Sequence, residues 1–295
     1  MISPSVQSEP TTMTHTVVIG ESHWLHRWPV IPVVMLAILI ILAVFAPVIA
    51  PYDAKLGALE DRHIPPMLFG GDSDHILGTD GLGRDIFSRI VHGAQISILT
   101  TAVALGIGGT VGTFLGILSG YFGGWVDELI MRIVDIKYSV PLILIALSLA
   151  TILGSSIGLL FGLLAFMVWG QFARQVRAEV LSIVKMDYVV AARSAGASPA
   201  RIMYRHILPG VAGTVAVIGT LQVGAVLLTE SSLSFLGAGV PPPTPSWGSM
   251  VAEGRLYIDT AWWVSLIPGV FIGLLVVSVT LLGDWIRDHW DPRFK

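Results

Sequence analysis

The sequence predicts an all-α membrane protein. Of its 295 residues, 54% are hydrophobic and 13% are charged, about half the charged share of an ordinary soluble domain. So few charged side chains cannot cover a globule in water, whereas a membrane protein also exposes surface to hydrocarbon. The mean hydropathy of +0.77 agrees with this interpretation. The chain contains no cysteine, which excludes disulfides, thiolate metal sites and cysteine nucleophiles.

Six apolar segments are long enough to cross a bilayer, which takes about 20 mainly apolar residues. They are residues 30–50, 96–120, 133–153, 157–173, 211–234 and 263–284. The first exceeds the apolar core of a secretory signal, so we interpret it as a retained span. Only Gly154, Ser155 and Ser156 separate the third from the fourth. That junction predicts a tight hairpin or, alternatively, one broken or re-entrant segment.

Lysine and arginine in the short loops predict the orientation. Loops on the cytoplasmic side of a membrane carry the excess of basic residues, and the loop at residues 174–210 contributes most of the bias between the two sides of this chain. This places both termini in the cytoplasm. The predicted parts are cytoplasmic tails at 1–28 and 287–295, a first span at 29–50, extracytoplasmic segments at 51–95 and 235–262, and a membrane core at 96–286.

The most unusual stretch, "VVAARSAGASPARIMYRHILPG", covers residues 189–210 between the fourth and fifth spans. Gly196 is expected to end one helix in the left-handed conformation. Ser198 can cap a second helix that begins at Pro199 and is expected to stop at Pro209. The sequence therefore predicts a helical hairpin in the cytoplasm. Its small residues suit insertion into a groove on another protein; a surface hairpin without a partner is the alternative.

Four glycines recur every fourth residue in the second span, in "GGTVGTFLGILSG". On a helix, Gly108, Gly112, Gly116 and Gly120 form a stripe without side chains, which lets a neighbouring helix approach closely. We predict a packing seam here, either static or able to slide.

Charged residues outside the hairpin suggest structural or gating roles. Asp80, Arg84 and Asp85 lie in a glycine-rich turn that leads into a helix; Arg84 is expected to pair with a carboxylate, and Asp85 to stabilise the helix start. Glu230 lies near the outer end of the fifth span. An intramembrane carboxylate indicates a proton or substrate role, or alternatively a structural hydrogen bond. Lys137 is expected to reach the membrane interface.

Several chemistries have no motif in this chain. No G-x-x-x-x-G-K-[ST] sequence occurs, so the chain itself should not bind ATP through a P-loop. No H-E-x-x-H motif, metal-ligand spacing or nucleophile–base pattern stands out, so we predict neither a metal site nor a catalytic residue. A membrane-embedded hydrolase is therefore disfavoured. A DNA-binding role for the hairpin is disfavoured, because its three arginines are few for neutralising phosphates.

The hairpin sequence resembles the EAA loop of permease subunits from bacterial ABC importers. Ala191, Ala192, Gly196, Leu208 and Pro209 match that pattern in register. Two positions depart from it, because Val190 stands where the loop usually has glutamate and His206 where it has isoleucine.

Longer stretches are similar to the C-type permease of dipeptide, oligopeptide and nickel importers. These are "LGTDGLGRDIFSRIVHGAQIS", "GYFGGWVDELIMRIVD" and "TESSLSFLGAGVPPPTPSWGSM". The resemblance implies a subunit of the inner membrane that moves short peptides inward, with nickel or another small solute as the alternative and an autonomous secondary transporter disfavoured.

The resemblance also implies partners. A second, B-type permease would complete the pore, and an extracytoplasmic binding protein would deliver the substrate. Cytoplasmic ATPase subunits would receive the EAA loop and hold ATP and magnesium, so this chain needs no cofactor of its own. Membrane lipid is expected to surround the chain, and nucleic acid is not an expected partner.

Overall fold

In the computed structural model, residues 29–290 are described, with side chains up to residue 286. The first apolar segment forms two helices, α1 (Val30–Val44) and α2 (Ala46–Ile49), which meet at Phe45. Buried Leu39 and Ala43 of α1 join a cluster with residues of α3, α9, α10 and α11, whose bounds follow below. The predicted cytoplasmic tail at 1–28, and residues 291–295 of the one at 287–295, lie outside the described residues.

The second apolar segment belongs to a much longer helix than predicted. After two short 3₁₀ turns, Leu59–Asp61 and Met67–Phe69, α3 runs over Ile86–Phe122, 37 residues or about 55 Å. The helix begins ten residues before residue 96, the predicted start of the span. Charged side chains in its first turns are buried against the preceding loop, so they do not end the helix.

The predicted span at 133–153 is not one straight helix. It is a pair, α4 (Gly124–Ser139) and α5 (Leu142–Leu153), bent by 76° at the break between them. Pro141 causes the break, since proline lacks an amide donor and disfavours helical backbone at the residue before it. Val140 is extended accordingly.

The next helix, α6 (Ile157–Ile183), starts where Ser156 accepts a hydrogen bond from the Leu159 amide. It ends ten residues beyond the predicted 173, because its apolar face continues past the first arginines through buried Val176, Val180 and Ile183.

Residues 187–208 form two helices joined by a turn, but the second helix does not stop at Pro209. The elements are α7 (Asp187–Ser194), α8 (Pro199–Ile202), a π-helical turn at Met203–Ile207 and α9 (Leu208–Phe235). In the π turn the Leu208 amide donates to the Met203 carbonyl, five residues back. This wider turn accommodates the missing amide of Pro209, so the chain stays helical and the expected stop is wrong.

The proline-rich stretch before α10 is not helical up to Ser246, as its composition predicts. The helix α10 (Trp247–Gly254) is followed by a 3₁₀ turn at Arg255–Tyr257 and by α11 (Trp263–Trp290). No β-strand occurs in residues 29–290.

Four helical stretches are long and apolar enough to cross a membrane: Ile86–Phe122, Ile157–Ile183, Pro199–Phe235 and Trp263–Ile286. The bent pair of α4 and α5 makes a fifth if it is counted as one span, and α1 is a shorter apolar helix. The described chain is therefore an all-helical membrane protein with four or five such spans. The sixth predicted span depends on α1.

The two ends of the central helix α3 contact different parts of the chain. Its first turns contact the loop before it and α10, while Tyr121 near its last turn lies under the Arg193 guanidinium of α7, 5.5 Å from the ring centre. The segments predicted to be extracytoplasmic thus lie at one end of α3, and the hairpin lies at the other.

Candidate functional site

The turn of the hairpin has the geometry that its glycine predicts. Gly196 has φ +77°, its amide donates to the Arg193 carbonyl at 3.0 Å, and the Ala197 amide donates to the Ala192 carbonyl at 3.1 Å. These two bonds form a Schellman motif. Ser198 then accepts from the Arg201 amide at 3.4 Å and starts the second helix. The chain therefore reverses direction within a few residues.

One side of the hairpin is buried and its tip is exposed. Val189, Ile202 and Ile207 are fully buried in the large core cluster that α6 and α9 share. Ala191, Gly196, Leu208 and Pro209 are exposed, and Ala192 is partly exposed. Val190, in the position of the usual glutamate, is 50% exposed. The apolar side of the hairpin is thus anchored in the core, and small residues are exposed at its tip.

Polar contacts join three helices near the end of α3 that faces the hairpin. Asp127 of α4 accepts hydrogen bonds from both Ser119 of α3 and Arg177 of α6. The second oxygen of the Asp127 carboxylate accepts from Arg177 at 2.5 Å. This cluster joins α3, α4 and α6 beside the Arg193–Tyr121 contact.

The glycine stripe lies against α6. A Cβ atom at Gly108 would be 2.6 Å from the Ala165 carbonyl oxygen, and one at Gly112 would be 2.2 Å from that of Trp169. At Gly116 the nearest atom would be the Ala173 carbonyl oxygen at 2.7 Å. A Cβ atom at Gly120 would be 2.7 Å from the Cβ atom of Val180. The backbones of α3 and α6 are therefore in contact at Gly108, Gly112 and Gly116. Sliding of the two helices along this seam stays a prediction.

At the opposite end of α3, Asp80 is the centre of a buried ion-pair cluster. Its carboxylate accepts from Arg84 Nε at 2.7 Å and from Arg89, and from the backbone amides of Leu82 and Arg84 at 2.8 and 3.1 Å. Burial alone would raise the pKa of Asp80, but Arg89, Arg84 and the amides outweigh it and hold the pKa below its ordinary value.

Glu253 of α10 closes the same cluster. Its carboxylate accepts from Arg84 at 2.7 Å and from Arg89 at 2.8 and 3.2 Å. The cluster therefore ties the loop before α3 to α10, two segments far apart in sequence. The predicted partner of Arg84 is confirmed, but sequence reasoning missed Arg89 and Glu253. Arg89 could have been found from its place one helical turn after Asp85.

Asp85 caps α3, as predicted. Its carboxylate accepts from the Ser88 amide at 2.7 Å and lies 3.0 Å from His75 Nδ1. The cap fixes where α3 begins, directly beside the ion-pair cluster.

Glu230 of α9 is 1% exposed and anchors the start of α10. One carboxylate oxygen accepts from Ser234 Oγ at 2.9 Å and from Ser246 Oγ at 2.8 Å. A Cβ atom at Gly248 would be 2.3 Å from the other oxygen, so the first turn of α10 lies directly against the carboxylate. These contacts match the structural alternative for Glu230; a gating role stays a prediction.

Lys137 of α4 packs against α6. Its ammonium donates to the Met167 carbonyl, in the middle of α6. Its place relative to the membrane interface stays a prediction.

Comparison with known proteins decides the family. Residues 112–295 match the family described as the binding-protein-dependent transport system inner membrane component. The chain belongs to this family. It is a permease subunit of a binding-protein-dependent ABC importer, which confirms the resemblance seen in the sequence.

Named relatives of this permease cover most of its length. It is 40% identical over 258 residues to the glutathione transport system permease protein GsiD of Pectobacterium atrosepticum, spanning 88% of this chain and 84% of the relative. GsiD of Escherichia coli O6:K15:H31 is 43% identical over the same shares. The di/tripeptide transport system permease protein DppC of Pseudomonas aeruginosa is 39% identical, over 88% and 86%.

The fold of the permease also matches a solved structure. A chain of the MetNI methionine ABC transporter, in an inward-facing conformation, superposes with a TM-score of 0.55 and 21% identity. The match covers 68% of the permease chain and 95% of that chain. It shows that the helices described above have the arrangement of an ABC importer permease.

Proposed function

We propose that this permease moves short peptides into the cytoplasm. The observation that carries the proposal is its 39–43% identity, over 88% of the chain, to permeases named for glutathione and for di/tripeptides. Nickel or another small solute is the alternative substrate. A complex reconstituted in liposomes should accumulate a labelled dipeptide on ATP addition and should not accumulate Ni²⁺. Accumulation of Ni²⁺ without dipeptide would exclude the peptide assignment.

The proposal includes the partners that the family implies. A second, B-type permease completes the pore, a binding protein delivers the peptide on the extracytoplasmic side, and ATPase subunits hold ATP and magnesium on the other. The chain itself performs no catalysis and carries no cofactor. It lies in the cytoplasmic membrane with six spans and both termini inside. Four of these spans are the long apolar helical stretches described above, and we assign the remaining two to the bent α4–α5 pair and to α1 with α2.

The hairpin is the proposed contact with the ATPase. It lies at the opposite end of α3 from the Asp80–Glu253 cluster, and its small residues are exposed while its apolar side is anchored in the core. A rigid projection of this kind can transmit a displacement to α9, with which it is continuous through the π turn. Because Val190 replaces the usual glutamate, the contact depends on shape rather than on an ion pair at that position.

Gly196→Val is expected to uncouple ATP hydrolysis from transport. A β-branched residue in the left-handed conformation costs about 1–2 kcal/mol, which lowers the population of the turn about 5- to 30-fold. A Cβ atom at this position meets nothing within 4 Å, so the effect comes from backbone conformation and not from a clash. Peptide uptake per ATP hydrolysed, in liposomes containing the whole complex, measures it.

Gly196→Asn is the matched control, because asparagine adopts the left-handed conformation more readily than other residues. It should retain most of the coupled uptake, and both variants should reach the membrane in equal amounts. Full coupled uptake by Gly196→Val would show that the turn is not needed.

A further inference from the structure

Lys137 of α4 is a cation without an acidic partner among the described residues. Its ammonium contacts α6 at Met167, which lies inside the candidate span Ile157–Ile183, about ten residues or about 15 Å beyond the first residue of that helix. Among residues 29–286, no carboxylate lies within ion-pair distance of it. An ammonium group has three donors, and the Met167 carbonyl takes one.

The surroundings hold the cation in place without neutralising it. The ammonium lies 4.2 Å from the ring centre of Tyr138 and 5.8 Å from those of Phe166 and Trp169. Aromatic ring faces attract a cation. Gly170 leaves the space, since a Cβ atom there would be 3.0 Å from the ammonium nitrogen. The site is thus shaped to hold a positive charge at this depth.

Polar side chains continue from Lys137 along α6 toward the hairpin. Gln171 lies 3.3 Å from the Tyr138 hydroxyl, and Arg174 pairs with Asp135 at 2.9 Å. Met167, Gln171 and Arg174 follow one another at intervals of four and three residues, so they share one face of the helix. The side chains of Arg174 and Asp135 are 52% and 65% exposed. Arg174 pairs with the Asp135 carboxylate, whereas Lys137 has no carboxylate partner among the described residues.

Charged and polar groups at membrane depth face protein or water, because hydrocarbon leaves them unsolvated. We propose that this face of α4 and α6 lines the translocation path and that Lys137 binds the C-terminal carboxylate of the passing peptide. The inference rests on the proposed function, and it names the feature that dipeptides, tripeptides and glutathione share, a free carboxylate on a short peptide backbone. The polar row of Gln171 and Arg174 leads from this site toward the hairpin end.

The test compares a dipeptide with its C-terminal amide in liposomes that contain the complete importer. The binding protein is saturated with either substrate, and initial uptake rates are measured. The wild type is expected to favour the free carboxylate by about tenfold or more, since a hydrogen bond to a charged group has that effect on an equilibrium. Lys137→Gln should remove this preference by slowing the free peptide, and Lys137→Arg should retain it. Arg132→Gln is the matched control on α4, because its exposed cation faces Glu128 at 3.7 Å; it should behave as wild type.

Two results would overturn the inference. One is a preference that Lys137→Gln leaves unchanged; the other is an equal loss of both substrates, which would mean that Lys137 packs α4 on α6 or pairs with a carboxylate of the second permease. In either case the wild type still transports peptide, so the proposed function stands. If the wild type transports neither peptide form, the proposed function fails and this inference fails with it.

Discussion

Asp80→Asn is expected to lower the free energy of unfolding by about 3–5 kcal/mol at neutral pH, the effect of removing one partner from a buried ion pair. The variant keeps the size of the side chain but removes its charge, so Arg89, which is 1% exposed, retains only Glu253. Unfolding by denaturant, followed by tryptophan fluorescence, measures the loss. Trp263 reports on the site directly, because its indole donates to the Thr79 carbonyl beside Asp80.

The effect should depend on pH in a defined direction. The folded-state pKa of Asp80 lies below its ordinary value, and the pKa of an unfolded aspartate is about 3.9. The stabilisation is therefore complete above the unfolded value and is lost as the pH falls through the lower, folded value. Wild type and Asp80→Asn should differ fully above about pH 5 and converge in stronger acid.

Glu128→Gln provides the matched control. It removes one carboxylate from an exposed pair with Arg132, whose side chains are 73% and 70% exposed, and such pairs contribute about 0–1 kcal/mol. If Asp80→Asn were no more destabilising than this control, the cluster would not hold the loop to α10.

The local features of this fold were predictable from residue types that act on their near neighbours. Asp85 caps α3 and Gly196 ends α7 because short-range hydrogen bonding and the absence of a Cβ atom decide those positions. The stripe that includes Gly112 faces another helix because a period of four keeps it on one side of α3.

The structure differs from the sequence-based predictions where contacts between distant parts of the chain determine the conformation. Pro209 was expected to end a helix, yet the π turn before it and the packing of Ile207 keep the chain helical. Lys137 contacts Met167, 30 residues further along the chain, so no local pattern gives this contact. Glu253 accepts from Arg84 and Arg89 across more than half of the chain, so only the three-dimensional arrangement identifies it as their partner.

Gly112→Ala, in the glycine stripe of α3, is expected to lower the free energy of unfolding by at least about 1–3 kcal/mol, the usual cost of overpacking. The new Cβ atom would lie 2.2 Å from the Trp169 carbonyl oxygen and 2.7 Å from the Phe172 Cβ atom. Neither is the end of a flexible side chain, so α3 and α6 must move apart. That separation would also loosen Phe172, which is buried in the core. The same denaturant titration measures the loss.

Gly106→Ala makes the identical chemical change six residues earlier on the same helix, at a position where a Cβ atom meets nothing within 4 Å. Alanine favours a helix over glycine by about 1 kcal/mol, so this control should be neutral or stabilising. Opposite signs for the two variants would separate contact between backbones from helix propensity, because propensity alone predicts the same gain at both positions. Equal stability of Gly112→Ala and Gly106→Ala would mean that α3 and α6 part at little cost, which is the behaviour expected of a seam that slides during transport. A loss confined to Gly112→Ala would instead make the seam a fixed joint, so that motion arriving from the hairpin would move α3 and α6 together.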